Sequence, residues 1–542
     1  MCVGSNFLAG FGFILPAPSG SFNPSPTDEQ EEYFNIKKIL SENERILFRD
    51  KFMSLDASLK FNIFANIAKY EDFDYSGANK EVPIRDRKSE LLVPYRDLDP
   101  FAYGELRLFW GDLFQLEGSV MLGNNYHHLY ESSFGWFATK YNNDISTIFN
   151  GKDGNPSVIA ADFPYRAGIS IGNDFLSIIA GRYRHQVGNG KTGNLLIGDN
   201  FIFQDILKVS FFSRYISYQM SITRFDPMEK IENSTYYQLS RNKFRGDHQF
   251  RILHQLSASL LDRVRLTFNL MTLYNSTSSL DIRFLYPFMA QHNYSNYDNQ
   301  PTLKDYDEAN NQMGINLDIL LAKGLSCSFQ FLLDQAQTPY EEQGSVPGAY
   351  AALGNIAFSH AFNKFIYDGW IECVYTNPYV YLNGKYKDNN DYEHNLDYIV
   401  GNHMWFTNDI SYSGYEHGPD AIVIATGHTL KDKNDRLKIG TSLLYRMKGE
   451  KGYKVRYKAY HESEIDMDNA YFGPDEGKNP KKTPSGIVEH MIQMKLGASY
   501  TFPNNISLYT GFYSALYYNY ERITDKDNIW KNLLTIGFKW HI

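Results

Sequence analysis

The sequence predicts an all-β fold: a single antiparallel transmembrane β-barrel of about 18 strands with a short N-terminal helical segment. Three observations predict it. Long runs alternate apolar and polar side chains with period two, as in Val264, Leu266, Phe268 and Leu270 against Arg263, Arg265, Thr267 and Asn269. That is the pattern of a strand between two different media. The runs come in pairs joined by tight turns, and the pairs are separated by loops of very unequal length. The chain is also rich in Tyr (41) and Phe (38) but poor in Trp (6), a bias that suits strands and interfacial girdles.

Taken in order, residues 1–20 read as an export signal or its remnant. Phe7 to Leu15 is apolar and a small, proline-containing stretch ends at Gly20, although the first lysine is Lys37. Residues 21–53 are predicted to form a periplasmic helical segment. Thr27 with Gln30 and Ser41 with Glu44 make two capping boxes, so two short helices are expected between Thr27 and Lys51. Asp28, Glu29, Glu31 and Glu32 precede Lys37 and Lys38, as a helix dipole favours. The segment either covers one barrel end or serves as a solvated tether.

Residues 54–542 are the predicted barrel with long extracellular loops. Its hairpins are Phe101–Trp110 with Leu113–Leu122, Arg166–Ile171 with Phe175–Arg182, Leu207–Phe212 with Ile216–Arg224, and Asp247–Leu260 with the Val264 run. Further along come Gln312–Leu321 with Leu325–Asp334, Ala351–His360 with Phe365–Tyr375, Ala421–Leu430 with Arg436–Met447, and Val488–Phe502 with Ile506–Tyr520. Turn chemistry at Gly111-Asp112, Lys323-Gly324 and Asn504-Asn505 joins them. A first strand near Leu59–Ala68 and a last one at Trp530–Ile542 complete an even number. Phe134–Thr139 is assigned to a loop. A soluble propeller would instead repeat a motif every 40–50 residues or so, and no motif repeats.

Composition narrows the function. No run of roughly 18 apolar residues occurs, so no apolar helix spans a bilayer. The net charge of −9 argues against a nucleic-acid partner, which calls for a basic face. Cys2, Cys327 and Cys373 lack metal-ligand spacing and read as small apolar fillers. No cofactor, metal or catalytic residue is predicted. Outer-membrane lipid is the first expected partner.

Barrels carry function on their loops and in the lumen. The Gly181–Gly193 loop places Arg182, Arg184, His185, Asn189 and Lys191 among glycines. It reads either as a site for anionic sugars or phosphates or as a basic constriction turned inward. The Arg283–Tyr294 loop offers Arg283, Tyr286, His292 and Asn293, aromatic and hydrogen-bonding groups of the kind sugars use. Asp334 ends a strand on its polar face and is expected to pair with a luminal arginine. Asn377 is a candidate ligand contact, and Tyr379, with Tyr375, Tyr381 and Tyr415, reads as girdle aromatics or a sugar-stacking platform. Asp420, in Gly418-Pro419-Asp420, is turn chemistry first. His127-His128 reads as solvated loop.

The order G-R…G-x-G at Gly181, Arg182, Gly188 and Gly190, R-x-L-x-P-F at Arg283–Phe288, F-L-L-D at Phe331–Asp334, and the N-P-Y and G-P-D-A segments at Asn377 and Gly418 resembles the Wzi capsule-assembly family, as a divergent member. The resemblance implies an outer-membrane barrel of a diderm bacterium that helps fix surface or capsular polysaccharide, without catalysis. A porin or substrate-specific channel is the alternative, motivated by polar inward faces. A hydrolase would need a nucleophile and base in bonding reach, and no such pair is recognisable.

Overall fold

The computed structural model describes residues 46–49, 53–70, 102–111, 113–124, 159–162, 166–198, 200–201, 203–226, 228–230, 237–239, 248–260, 263–276, 280, 282–286, 308–335, 348–381, 386–387, 393–394, 399–403, 408–449, 482–519 and 528–541. Among them, 18 antiparallel staves form one closed barrel. The staves are Met53–Tyr70, Ala102–Trp110, Phe114–Asn124, a broken stave made of Ile159–Asp162 and Ala167–Gly172, Leu176–Tyr183, Gln204–Phe212, Ile216–Phe225, His248–Leu260 and Val264–Ser276. Glu308–Ala322, Leu325–Gln335, Ala349–Phe362, Phe365–Thr376, Ala421–Asp432, Leu437–Lys448, Glu489–Thr501, Ile506–Tyr518 and Ile529–His541 complete the ring. All eight expected hairpins are present. The ring shuts where Lys60–Tyr70 pairs with Lys531–His541.

One end carries the tight turns, with left-handed residues such as Gly324, Asn363 and Asn505 at their bends. The long connections leave from the other end, as in an outer-membrane barrel. The helical expectation needs a correction here, because Ile46–Arg49 is a strand. The Met53–Tyr70 stave meets the C-terminal stave only from Lys60 onward, which leaves its first residues with an open edge. Ile46–Arg49 pairs with Ser54–Asp56 and fills that edge. The remainder of the expected helices and the export segment lie outside the described residues, as does Phe134–Thr139.

The broken stave is also instructive. Its upper piece pairs with Met121–Asn124 and its lower piece with Phe114–Gly118. At the break, Ser119 N donates to Arg166 O at 2.7 Å, and Arg166 N donates to Ser119 Oγ at 2.9 Å. The irregularity sends the Arg166 side chain to two luminal acids, Glu105 at 2.6 Å and Glu117 at 3.2 Å. Bulges commonly re-aim a side chain in this way.

The outer wall is apolar. Phe268 is 51% exposed, and Ile63, Ile371, Leu443 and Ile536 are similarly bare, while the alternate residues are buried inside. Trp110, Phe175, Tyr215, Phe362, Phe502 and Trp540 are exposed around the turn end; Tyr350, Tyr518 and Trp530 are exposed near the loop end. An apolar band between two aromatic rings is the surface of a bilayer-spanning barrel. The chain is an outer-membrane β-barrel. Cys327 and Cys373 are free thiols on this outward face.

Three polar pairs interrupt the band, and patterning did not anticipate them. Tyr218, Tyr367 and Tyr445 donate their hydroxyls to Nδ1 of His254, His428 and His490 on adjacent staves, at 2.7, 2.9 and 2.7 Å. The rings stack, with centroids 6.2, 6.0 and 5.9 Å apart. Bonding each hydroxyl to a ring nitrogen lowers the cost of turning these groups to hydrocarbon.

This inside–outside assignment predicts opposite responses at neighbouring positions. Phe268→Arg should lower stability by about 2–4 kcal/mol, the cost of a cation on the lipid face near the midplane. Thr267→Ser, one residue along and facing the lumen, should change it by less than about 1 kcal/mol. Guanidinium unfolding of the barrel refolded into vesicles checks both.

Candidate functional site

The loop after Leu176–Tyr183 turns inward and runs through the lumen. An antiparallel bridge, Val187 with Ile197, closes its neck. Its tip is glycine-built: Gly188 (φ 117°) and Gly193 (φ 137°) adopt backbone that side chains rarely tolerate. Asn194 Oδ1 accepts from Gly190 N at 2.8 Å and from Gln330 Nε2 at 2.7 Å. Gln330 Oε1 in turn accepts from Leu195 N at 3.0 Å.

The tip's most concentrated contact is with Glu372, a luminal carboxylate 1% exposed. It accepts from Lys191 N at 2.6 Å, from Thr192 N at 2.7 Å and from the Thr192 hydroxyl at 2.6 Å. Asn355 Nδ2 donates to Asn189 O at 2.9 Å, and Asn189 Nδ2 donates to Asp318 at 2.8 Å. Successive backbone N–H groups at a glycine-rich bend make an anion-binding concavity. Here a side chain of the same chain occupies it. The loop turns inward, the direction that one of its two readings gave it.

On the loop-end side of the tip lies an apolar layer. Val187, Leu195, Ile197 and Phe201 of the loop pack with wall residues Phe225, Leu253, Met271, Leu273, Leu332, Leu353 and Val374. Tyr381 and Tyr415 complete the layer and are fully buried. The Tyr381 hydroxyl donates to Leu195 O at 2.6 Å and accepts from Tyr415 N at 3.1 Å. Thr192 Oγ1 and the Tyr415 hydroxyl lie 2.9 Å apart. Burial pushes both phenols far above the ordinary tyrosine range, so they stay protonated. These two tyrosines are interior joints, neither girdle nor exposed platform. Tyr375 does face outward, stacked on Tyr350.

A cation pins the neck. Arg251, 1% exposed, donates to Ser413 Oγ at 2.9 Å, to Thr223 Oγ1 at 3.2 Å, and to Gln204 Oε1. Its guanidinium also sits 5.2 Å from the Phe225 ring centroid. Among the described residues no carboxylate contacts it. A buried cation is costly, so neutral acceptors must solvate it. Arg251 also lies 3.4 Å from His185 Nδ1. A guanidinium only donates, so that nitrogen is the acceptor and His185 is neutral. Burial first, then the charges of Arg251 and Lys208, hold the His185 pKa well below the usual histidine value.

The second expected cluster forms a junction at the loop end. Asn377 Oδ1 accepts from Tyr379 N at 3.1 Å and Val380 N at 3.0 Å, a turn built by one side chain. Asp420 (φ 58°) is fully buried; its N–H donates to Asn377 O at 3.0 Å and its carboxylate accepts from Ser485 N at 3.1 Å. Tyr379 is buried, and its phenol is pushed up to about 12 by burial and by Asp420. Asp334 Oδ2 accepts from Tyr381 N at 2.6 Å, so the expected arginine pair is joined or replaced by a backbone contact. Arg446 bonds Glu489 at 2.6 Å nearby.

The expected residues therefore separate. His185, Asn189 and Lys191 belong to the plug, and Arg184 lies beside His185 in its neck. Asp334, Asn377, Tyr379 and Asp420 tie the loops that cap it. Arg182 faces the exterior and pairs with Asp205 at 3.0 Å. Arg283, within a short 3-10 helix at Ile282–Leu285, and Tyr286, just after it, are exposed on the outer wall. His292, Asn293 and His127-His128 lie outside the described residues. Arg251, Glu372, Gln330 and Asn355 escaped sequence reading. Their signal was a polar residue on the inward face of a strand, which many staves share.

No family model matches the chain, and no curated protein matches it by sequence. Solved structures do resemble it. Wzi, an outer-membrane protein involved in group 1 capsule assembly in Escherichia coli and described as a carbohydrate-binding β-barrel, is 12% identical over 98% of this chain and 96% of its own, with a TM-score of 0.48. OccK1 (OpdK) of Pseudomonas aeruginosa is 8% identical over 90% of this chain and 99% of its own, at 0.42. The channel DcaP of Acinetobacter baumannii is 9% identical over 91% and 99%, at 0.34.

Two outcomes follow from the plug. Glu372→Ala should strand the tip's donors, each worth about 1–3 kcal/mol when buried unsatisfied. Trypsin should then cut the folded barrel after Lys191 at least roughly tenfold faster than wild type, because cleavage tracks the population of the open form. The second outcome is pH dependence. His185 has a folded pKa below its unfolded value, so its neutral contribution is complete above about pH 6.5 and declines as the pH falls below that. Cleavage at Lys191 should therefore rise on acidification from pH 7.5 to 5, and His185→Gln should flatten the rise.

Proposed function

We propose that this barrel is a sealed, non-catalytic anchor that holds an extracellular polysaccharide on its loop face. The observation that carries the reading is the apolar layer packed between the inward loop and the staves from Ile216–Phe225 to Leu437–Lys448, with Leu195, Ile197, Phe201, Tyr381 and Tyr415 essentially without exposure. A diffusion pore needs a continuous wet path, and close-packed side chains exclude water. A lumen closed by its own loop instead makes a rigid base for the outer loops, where binding residues are commonly presented.

The loop motifs that resemble the Wzi family motivate polysaccharide as the ligand. In this reading Asn377 and Asp420 position the loops through their mutual backbone and Ser485 bonds. They do not need to touch the polymer. Asn189 and Lys191 lie on the periplasmic side of the apolar layer, which removes them from an outer binding face. Surface polysaccharide and outer-membrane lipid are the partners proposed.

A channel is the second reading, and a specific observation favours it. The turn-end lumen is lined by charged groups in bonded sets, Glu105, Arg166 and Glu117 on one side and Lys431 with Asp368, 3.0 Å apart, on another. Such a lining suits a polar solute if the plug moves.

Two measurements separate the readings. Purified barrel should retain fluorescently labelled surface polysaccharide and stay silent in a planar bilayer. Asp420→Ala should weaken retention roughly tenfold, about 1.4 kcal/mol, by loosening the loop junction. Steady large conductance together with no retention would reverse the assignment in favour of the channel.

A further inference from the structure

Part of one loop folds back over the outside of the barrel. Phe284 of the Ile282–Leu285 helix is 2% exposed and sits on outward-facing residues of three staves, with Ile252, Tyr274, Ile222 and Phe250 around it. The Phe284 and Tyr274 ring centroids are 4.8 Å apart. A histidine fixes this position. His254 Nε2 donates to Phe284 O at 2.7 Å, while its Nδ1 accepts from the Tyr218 hydroxyl at 2.7 Å. The carbonyl can only accept, so Nε2 carries a proton and both ring nitrogens are committed. The loop is seated on the wall by a built contact.

Its depth can be read from the strand. A spanning strand uses about 9–11 residues, so a count from the exposed Leu260 at the turn end carries the bilayer to about Phe250. Ile252 and His254 lie within that span, toward its outer side. What the docked segment turns to the surroundings is Ile282, 65% exposed, Tyr286, 53% exposed, and the exposed Arg283. An aliphatic side chain, a tyrosine and a guanidinium on one segment at this depth are the groups that meet acyl chain, interface and anionic headgroup respectively.

We propose that Ile282–Tyr286 forms a binding site for a phosphorylated lipid of the outer leaflet. Arg283 receives the headgroup phosphate through its planar fork, Tyr286 lies at headgroup level, and Ile282 contacts an acyl chain. The site depends only on the membrane placement of the barrel and holds whether the lumen is sealed or conducting. It also gives Arg283 and Tyr286 a place on the membrane side of the molecule, away from the loop face proposed for polysaccharide.

Native mass spectrometry of the detergent-purified full chain, titrated with lipid A and with the same lipid stripped of its phosphates, tests the site. Wild type should hold the phosphorylated lipid about tenfold more tightly than the stripped one. Arg283→Gln should erase that preference with the melting temperature unchanged, and Ile282→Ser/Tyr286→Ser should weaken both lipids alike. Equal binding of the two lipids by wild type, or an unaltered preference in Arg283→Gln, overturns the proposal. Full competition by millimolar inorganic phosphate alone would mean a simple anion site and overturns it too. So would a dimer that Ile282→Ser/Tyr286→Ser dissolves while lipid binding stays unchanged.

Discussion

A chain that crosses hydrocarbon must satisfy every backbone donor and acceptor from within, and most of this structure follows from that constraint. The staves close on themselves through Lys60–Tyr70 and Lys531–His541. Closure staggers the first stave past the last, and the exposed edge is taken up by Ile46–Arg49. The same demand reaches side chains. Three histidines on the lipid face are each held by a tyrosine from the next stave, and one of them also takes a carbonyl from the loop folded over the wall.

Inside, the requirement is met differently on the two sides of the plug's tip. Toward the turns the lumen is polar and its charges are bonded in sets. Toward the loops an apolar layer forms where the Gly181–Gly193 region folds in and the loop that follows brings hydrophobic residues to the wall, beside buried charges such as Arg251 and the Arg446–Glu489 pair. Glu372 and Arg251 hold this arrangement at tip and neck. One is a carboxylate saturated by backbone N–H groups, the other a cation solvated by neutral acceptors. Neither is free to serve an external ligand without releasing the loop. Binding at the loop face and opening of the lumen are thus separate questions for this molecule.

The docked segment at Ile282–Leu285 shows how a barrel can alter its own lipid surface. The wall beneath it is apolar in any case, so the segment gains burial for Phe284. In exchange it replaces bare strand residues with Ile282, Arg283 and Tyr286. A uniform hydrocarbon contact becomes one with a charge at a defined depth.

The barrel was legible from residue order. Alternation along Val264–Ser276, and the glycine and asparagine bends at Gly324, Asn363 and Asn505, are local signals, and local signals survive translation into a closed sheet. Eight hairpins and two terminal staves followed from them. The Ser41–Glu44 capping box is also local, yet the Ile46–Arg49 segment beyond it became a strand, because the C-terminal stave leaves the first residues of the next stave with an open edge. The loop at Gly181–Gly193 was recognisable as unusual, but its direction was not. Its tip is held by Glu372, Asn355 and Gln330, contributed by staves more than a hundred residues away. Strand number, lipid-facing residues and turn positions come from periodicity and bend chemistry, which neighbours in sequence dictate. The occupant of the lumen arises from contacts between segments more than a hundred residues apart, and the seat of Phe284 on the outer wall from the side-by-side packing of three staves, neither of which a local pattern specifies.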